Sequence, residues 1–230
     1  MREIIFDTET TGLDPRSGHR LVEIGCIELV DRRESGRTFH AYFHPERDMP
    51  PEAEAVHGLS IQFLSDKPLF AERADELLEF LGDAPMIAHN AVFDFGFINA
   101  ELERAGRPAL DLARMCCTVQ MARKLHPGAK HSLDALCTRY GIDRSHRIKH
   151  GALLDAELLA HLYIEMTGGR QIGLGLGAES AAMAAGLSMR PAAPSRPFRE
   201  PRPHAATAVE LARHAEFVAA LNQPLWHDSP

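Results

Sequence analysis

Asp7 and Glu9 stand two residues apart in the stretch 2–13 (REIIFDTETTGL), directly after the apolar run Ile4, Ile5 and Phe6. Such a run is too short for a helix and suits a buried central strand. Side chains on a strand alternate between faces, so the two carboxylates are expected to project from the same face at its end. Neighbouring carboxylates repel each other. Unpaired, one takes up a proton, whereas a bound divalent cation keeps both ionised. Thr10, Thr11 and Gly12 then turn the chain away and set the pair beside a polar loop open to close approach. A strand end with two solvated acids is the alternative that this stretch alone leaves open.

Two further places carry similar chemistry. Asp94 follows the short apolar run 85–89 (PMIAH), and Asn90 is a plausible N-cap for a helix from 91 to 105. A carboxylate in that helix's first turn suits the positive end of the helix dipole, which is also reason enough for it to be there without any catalytic role. His150 and Asp155 are five residues apart. At about 100° per residue they diverge on a single helix, so to face one site His150 must sit in the turn before it. Gly151 makes that turn easy.

The elements that would position these groups follow from periodicity. Residues 20–31 and 38–43 read as strands, with the polar segment 32–36 between them as the loop of an antiparallel hairpin. Residues 51–57 suit a short helix. Residues 70–81 repeat apolar side chains at helical spacing and stop at Gly82. A third parallel-type strand is expected at 115–119, and helices at 118–125, 132–140 and 152–166. A three-strand meander followed by strands alternating with helices makes an α/β domain with a mixed sheet. It spans 1–169. From 170 to 205 the composition shifts to Gly, Ala, Pro, Ser and Arg, as in a flexible linker. Helical spacing returns over 206–221, with Phe217 on the apolar side and Trp226 beyond it. A helix this short is marginal alone, so 206–230 reads as a docking segment that orders on a partner.

Composition narrows the function classes. The net charge of −7 argues against a protein that grips nucleic acid through a broad basic surface. The whole deficit precedes residue 171, since the remaining residues hold five basic and five acidic groups. Cys26, Cys116, Cys117 and Cys137 show no CxxC spacing, and free thiols in a reducing compartment are expected. Charged residues interrupt the N-terminal apolar run and no stretch suits a membrane span, so a cytoplasmic protein is expected.

Taken in order, D-T-E-T-T-G-L from Asp7, H-N-A-x-F-D ending at Asp94 and H-x-x-x-x-D from His150 to Asp155 resemble the three motifs of the DEDDh family of 3′-5′ exonucleases. VEIG from Val22, VHGL from Val56, HSLDALC from His131 and HGALLDA followed by MTGG extend the likeness over residues 1–169. They bring it nearest to the proofreading branch that serves bacterial replicative DNA polymerases. The resemblance implies a ribonuclease H-like fold, a mixed sheet flanked by helices. It implies two Mg²⁺ or Mn²⁺ ions held by Asp7, Glu9, Asp94 and Asp155, one on Asp7, Glu9 and Asp155, the other on Asp7 with Asp94 acting through water. His150 is implied as the general base for the attacking water.

Thr10, Leu13, His57, Asn90 and Phe93 are then implied around the terminal nucleotide, with ordinary core packing the other reading for Leu13 and Phe93. Gln171, Leu174 and Leu176 resemble a short sliding-clamp motif. The tail, through Phe217 and Trp226, would bind the polymerase catalytic (alpha) subunit, and a small third core subunit is conceivable. DNA 3′ ends are the implied substrate. Two rivals remain: a free-standing ribonuclease trimming RNA 3′ ends, and a mainly structural bridge between polymerase and clamp.

Overall fold

Five strands, β1 (Arg2–Thr10), β2 (Leu21–Val30), β3 (Arg33–Tyr42), β4 (Met86–Ala88) and β5 (Met115–Cys117), form one sheet in the order β3-β2-β1-β4-β5. The computed structural model describes residues 1–145, 147, 149–169 and 205–221. β1, β2 and β3 pair antiparallel, whereas β4 joins β1 and β5 joins β4 in parallel. This is the mixed sheet expected from a meander followed by strand–helix alternation.

Around it lie α1 (Pro51–His57), α2 (Ile61–Leu64), α3 (Phe70–Leu81), α4 (Ala91–Arg104), α5 (Thr118–Leu125), α6 (Leu133–Tyr140) and α7 (Ala152–Met166). Alternation along β1 splits the core in two. Ile4 and Phe6 pack with α3 and α4, through Leu77, Phe95 and Ile98. Ile5 points the other way and packs with α6 and α7, through Leu136, Leu159 and Leu162. Burying both faces of β1 accounts for the unbroken apolar run that begins it. α6 is bounded as its sequence suggests, with Ser132 Oγ accepting from the Ala135 N–H and Gly141 in the left-handed conformation.

Several local expectations are corrected. β1 runs on to Thr10, so Asp7 and Glu9 lie within the strand rather than at its end. The hairpin has no five-residue loop: Asp31 and Arg32, both at positive φ, turn the chain in two residues, and β3 begins at Arg33. A two-residue turn with positive φ at both positions matches the twist of the paired strands. A register shift between Ile27 and Leu29 absorbs the mismatch. β5 ends at Cys117, where α5 takes over, and the single turn α2, capped by the Ser60 hydroxyl, was not anticipated. Asn90 precedes α4, but at φ 74° and without a capping hydrogen bond from its side chain.

Two packing details set where the helices sit. Gly25 lies opposite Asp7 in the β1–β2 register. A Cβ there would stand 2.3 Å from the Leu153 nitrogen and 2.4 Å from its Cα. The first turn of α7 therefore rests directly on the β2 backbone, which only glycine permits. On the opposite side, Arg20 forks onto buried Glu101 of α4, with Nε to Oε1 at 2.7 Å and Nη2 to Oε2 at 2.9 Å. That bidentate pair fixes α4 to the start of β2.

By contact the chain divides into Met1–Leu174 and Gly175–Pro230. In the second unit α8 (Ala208–Ala219) opens with a capping box in which Thr207 and Glu210 exchange side-chain and backbone hydrogen bonds. Its Val209, Leu211 and Phe217 are exposed. Gln171, Leu174, Leu176 and Trp226, with residues 170–204 of the expected linker, lie outside the described residues. No helix among the described residues is long and apolar enough to cross a membrane.

The close approach at Gly25 is testable by denaturant unfolding. Gly25→Ala is expected to cost about 1–3 kcal/mol or more, because backbone on both sides must separate. Gly96→Ala, in mid-helix with open space around the new methyl, is expected to be neutral or to stabilise by up to about 1 kcal/mol. Equal effects of the two substitutions would contradict the packing described.

Candidate active site

The carboxyl half of β1 has a free edge. β4 pairs only with Ile4 and Ile5, so residues 7–10 have no strand on that side, the place where open α/β sheets leave room for ligands. The chain leaving β4 passes through His89 and Asn90 into α4, and Asp94 in its first turn reaches back to β1. Thr8 Oγ1 donates to Asp94 Oδ1 at 2.7 Å. From the other face, the seat of α7 on Gly25 brings Asp155 of its first turn toward Asp7 and Glu9. His150 sits in the turn before α7, with Gly151 at the N-cap, as the spacing required. Its Nδ1 is 3.2 Å from Asp155 Oδ2, and the ring is 48 % exposed.

Asp7, Glu9, Asp94, His150 and Asp155 thus line one cleft of about 290 Å³. Burial there raises the Asp7 pKa well above the usual carboxylate range, and the charges of Asp94, Glu9 and Asp155 add to the effect. Glu9 is pushed up to about 8 by burial, with Asp155 and Glu23 contributing. Asp94 is raised to about 7, also by burial, against the lowering effect of the Thr8 hydrogen bond.

Other buried acids are satisfied within the protein. Glu28 meets Arg2 and Arg37, Glu101 meets Arg20, and Glu3 accepts from the Tyr163 hydroxyl. Among the described residues Asp7 and Glu9 have no side-chain hydrogen bond or ion pair, so their charge calls for something the chain does not supply. One donor atom each from Glu9, His150 and Asp155 lie within 4.8 Å of one another. Oxygen-rich donors at this spacing fit a hard divalent cation.

Beside the cleft is a second cavity of about 660 Å³, lined by the loop after β1 and by Pro50, Glu52, Val56, His57 and Phe93. Phe93 borders both spaces. Leu13 is 85 % exposed at this cavity, so it is no part of the core. Thr10 Oγ1 donates to the Gly12 carbonyl at 2.6 Å, and a Cβ on Gly12 would collide with the His19 ring at 2.3 Å. The loop keeps its shape because residue 12 is glycine. His57 is 5 % exposed; its Nδ1 accepts from the Leu59 N–H, and burial lowers its pKa. The neutral ring therefore carries its proton on Nε2, which has no hydrogen-bond partner. That nitrogen is buried beside the Thr10 backbone.

Asn90 is the exception among the expected pocket residues. It is exposed and borders neither cavity, because its left-handed backbone turns the chain into α4. Glu52 and Arg147 are among the lining residues that were not anticipated. Glu52 lies one turn before Val56 on α1, an i, i+4 relation that the sequence does carry. Arg147 stands among Arg144, His146 and Lys149, where nothing distinguishes it from a solvated basic run.

Residues 4–163 match the family model described as Exonuclease. A DNA polymerase III subunit epsilon of Rickettsia felis is 56 % identical over 174 residues, covering 74 % of this chain and 76 % of the relative. The chain belongs to the DNA polymerase III epsilon family of exonucleases. The epsilon subunit of Escherichia coli K12 is 47 % identical over 176 residues, covering 74 % and 72 %. Among solved structures, exonuclease X in complex with 5′ overhanging duplex DNA superposes with a TM-score of 0.56 at 26 % identity, over 76 % of this chain and 95 % of that one. E. coli exonuclease I, in a zinc-bound complex with single-stranded DNA, shares the fold at TM-score 0.63 and 18 % identity, over 74 % and 41 %. The ribonuclease H-like fold and the exonuclease activity follow for this epsilon-family chain, as does the divalent-metal dependence of its family.

The raised carboxyls link stability to pH. Glu9 titrates near 4.5 when free and near 8 in the fold, so the native state holds the extra proton and stability falls as pH rises through that interval. With metal removed by a chelator, the melting temperature is expected to drop between pH 7 and 8.5, above the range in which His57 and His89, lowered by burial, change charge. Glu9→Gln should flatten that drop. An unchanged slope in the variant would show that Glu9 is not the group responsible.

Proposed function

We propose that this chain removes mismatched nucleotides from DNA 3′ ends as the proofreading exonuclease of a bacterial replicative polymerase. The supporting observation is the convergence of four carboxylates and a half-exposed histidine in one cleft, next to a cavity large enough for a terminal nucleotide. Asp7, Glu9, Asp94 and Asp155 would hold two divalent cations, Mg²⁺ or Mn²⁺. Bound cations would neutralise charge on the attacking and leaving oxygens of the phosphodiester.

The remaining work falls to this chain's own side chains. His150, at the mouth of the cleft, accepts the proton of the attacking water, and its neighbour Asp155 stabilises the imidazolium that results. Leu13 and Phe93 offer apolar surface to the terminal base. Thr10 shapes the loop that holds it, and His57 lines the same cavity as a neutral ring beside the Thr10 backbone. A pocket for a single end selects frayed termini, because a mismatched nucleotide costs less to unpair than a matched one.

Association with the polymerase compensates for an acidic catalytic unit that would bind DNA weakly unaided. In this reading residues 1–169 are catalytic and 170–205 are a linker carrying a clamp contact at Gln171, Leu174 and Leu176. The segment 206–230 docks on the catalytic alpha subunit through Phe217 and Trp226. A small third core subunit would bind the catalytic unit.

Digestion of 3′ ends by the purified chain with Mg²⁺ tests this directly, comparing mismatched primer, matched primer and single-stranded RNA. The mismatched deoxynucleotide is expected to leave fastest, and Asp155→Asn to abolish the reaction. His150→Gln is expected to lower kcat by about 10²–10⁴-fold with little change in KM. Faster digestion of RNA would favour the ribonuclease, and activity that survives metal removal would overturn the cation site.

A further inference from the structure

Arg147 has no part in the mechanism above, yet its side chain is only 10 % exposed and lies inside the cleft. Its guanidinium forks onto Asp155, Nε to Oδ1 and Nη2 to Oδ2, the latter at 2.7 Å. Nη2 also lies 2.8 Å from His150 Nδ1. Nη1 reaches Asp134 Oδ1, at the rim, at 2.9 Å. Arginine can only donate, so His150 must accept at Nδ1. One nitrogen therefore stands between Asp155 and His150, two of the three groups whose donor atoms cluster as cation ligands.

A guanidinium and a divalent cation cannot share that position. Both are positive, and both need the open side of the Asp155 carboxylate. We propose that Arg147 is the resident counter-cation of the metal-free site, competing with the incoming cation for Asp155 and yielding when the cation binds. Nη1 on Asp134 gives the side chain an anchor to retreat along, since Asp134 is half-exposed and outside the ligand cluster. The same movement releases Nδ1 of His150. Arg147 is thus a positioning residue: it keeps the metal-free carboxylate and imidazole gathered, and its departure makes both available together. The inference rests on the reading of the cleft as a cation site.

The test is Mn²⁺ binding to the full-length, chelator-stripped chain, followed by calorimetry without nucleic acid. Arg147→Gln is expected to lower the dissociation constant of the tightest Mn²⁺ by at least about threefold, with Arg147→Lys, which keeps the charge but loses the fork, in between. Unchanged or weaker binding by a folded Arg147→Gln chain overturns the proposal. If that variant does not fold, phenylglyoxal modification of wild type decides. Mn²⁺ is expected to speed modification of Arg147 at least about threefold relative to surface Arg107, and an equal or slower rate overturns the proposal. Should wild type bind no Mn²⁺, the cation-site reading falls with it; binding without these shifts overturns the role of Arg147 alone.

Discussion

Everything in the catalytic unit bears on one unfavourable arrangement, the crowding of Asp7, Glu9, Asp94 and Asp155 into a cleft where burial pushes protons onto Asp7, Glu9 and Asp94, with the neighbouring charges adding to the effect at Asp7 and Glu9. A protein does not keep such a group of acids for stability. Elsewhere in the same unit, buried acids are matched by arginines or a tyrosine, as Glu101, Glu28 and Glu3 show. The cleft departs from that pattern only where a ligand of opposite charge can complete it, and burial makes the unmatched charge expensive enough to select a divalent cation.

The fold holds the acids together through short-range devices. β1 supplies Asp7 and Glu9 on one face and Thr8 on the other, and Thr8 fixes Asp94 as α4 begins. Gly25 lets α7 rest on backbone, which gives Asp155 its reach. Arg20 and Glu101 hold α4 against β2 from its far end. Each device is short-range, but together they bring Asp94 and Asp155, distant in sequence, to the single strand that carries Asp7 and Glu9. The neighbouring cavity shares Phe93 with the cleft, so a nucleotide held there would present its phosphodiester to the acids.

Much of this was legible in the sequence. The apolar run before Asp7, the helical stripes of α3 and α7, and the serine and glycine that bound α6 reflect local rules of burial and capping that one chain displays without its neighbours. Residue types at the site were legible only as an ordered set: each carboxylate alone has a structural reading, and it is the succession of D-T-E-T-T-G-L, H-N-A-x-F-D and H-x-x-x-x-D that carries the chemistry. What escaped depends on apposition. The Asp31–Arg32 turn is hidden because neither residue is a glycine, and Gly25 looks like any strand glycine until α7 lies on it. Arg147 is invisible for the same reason: its partners Asp134 and Asp155 come together only when α6 and α7 pack.

The central claim is that the acids cannot all be charged until a cation arrives. Calorimetric titration of Mn²⁺ into the chelator-stripped full-length chain at pH 7, in two buffers of different ionisation enthalpy, measures it most directly by counting protons. Net release of about one proton or more per chain is the expected result, since Glu9 held near 8 and Asp94 near 7 must give up what they carry. Binding with no proton release, or with uptake, would mean that the cleft is already charged without metal, and the account would be wrong at its root.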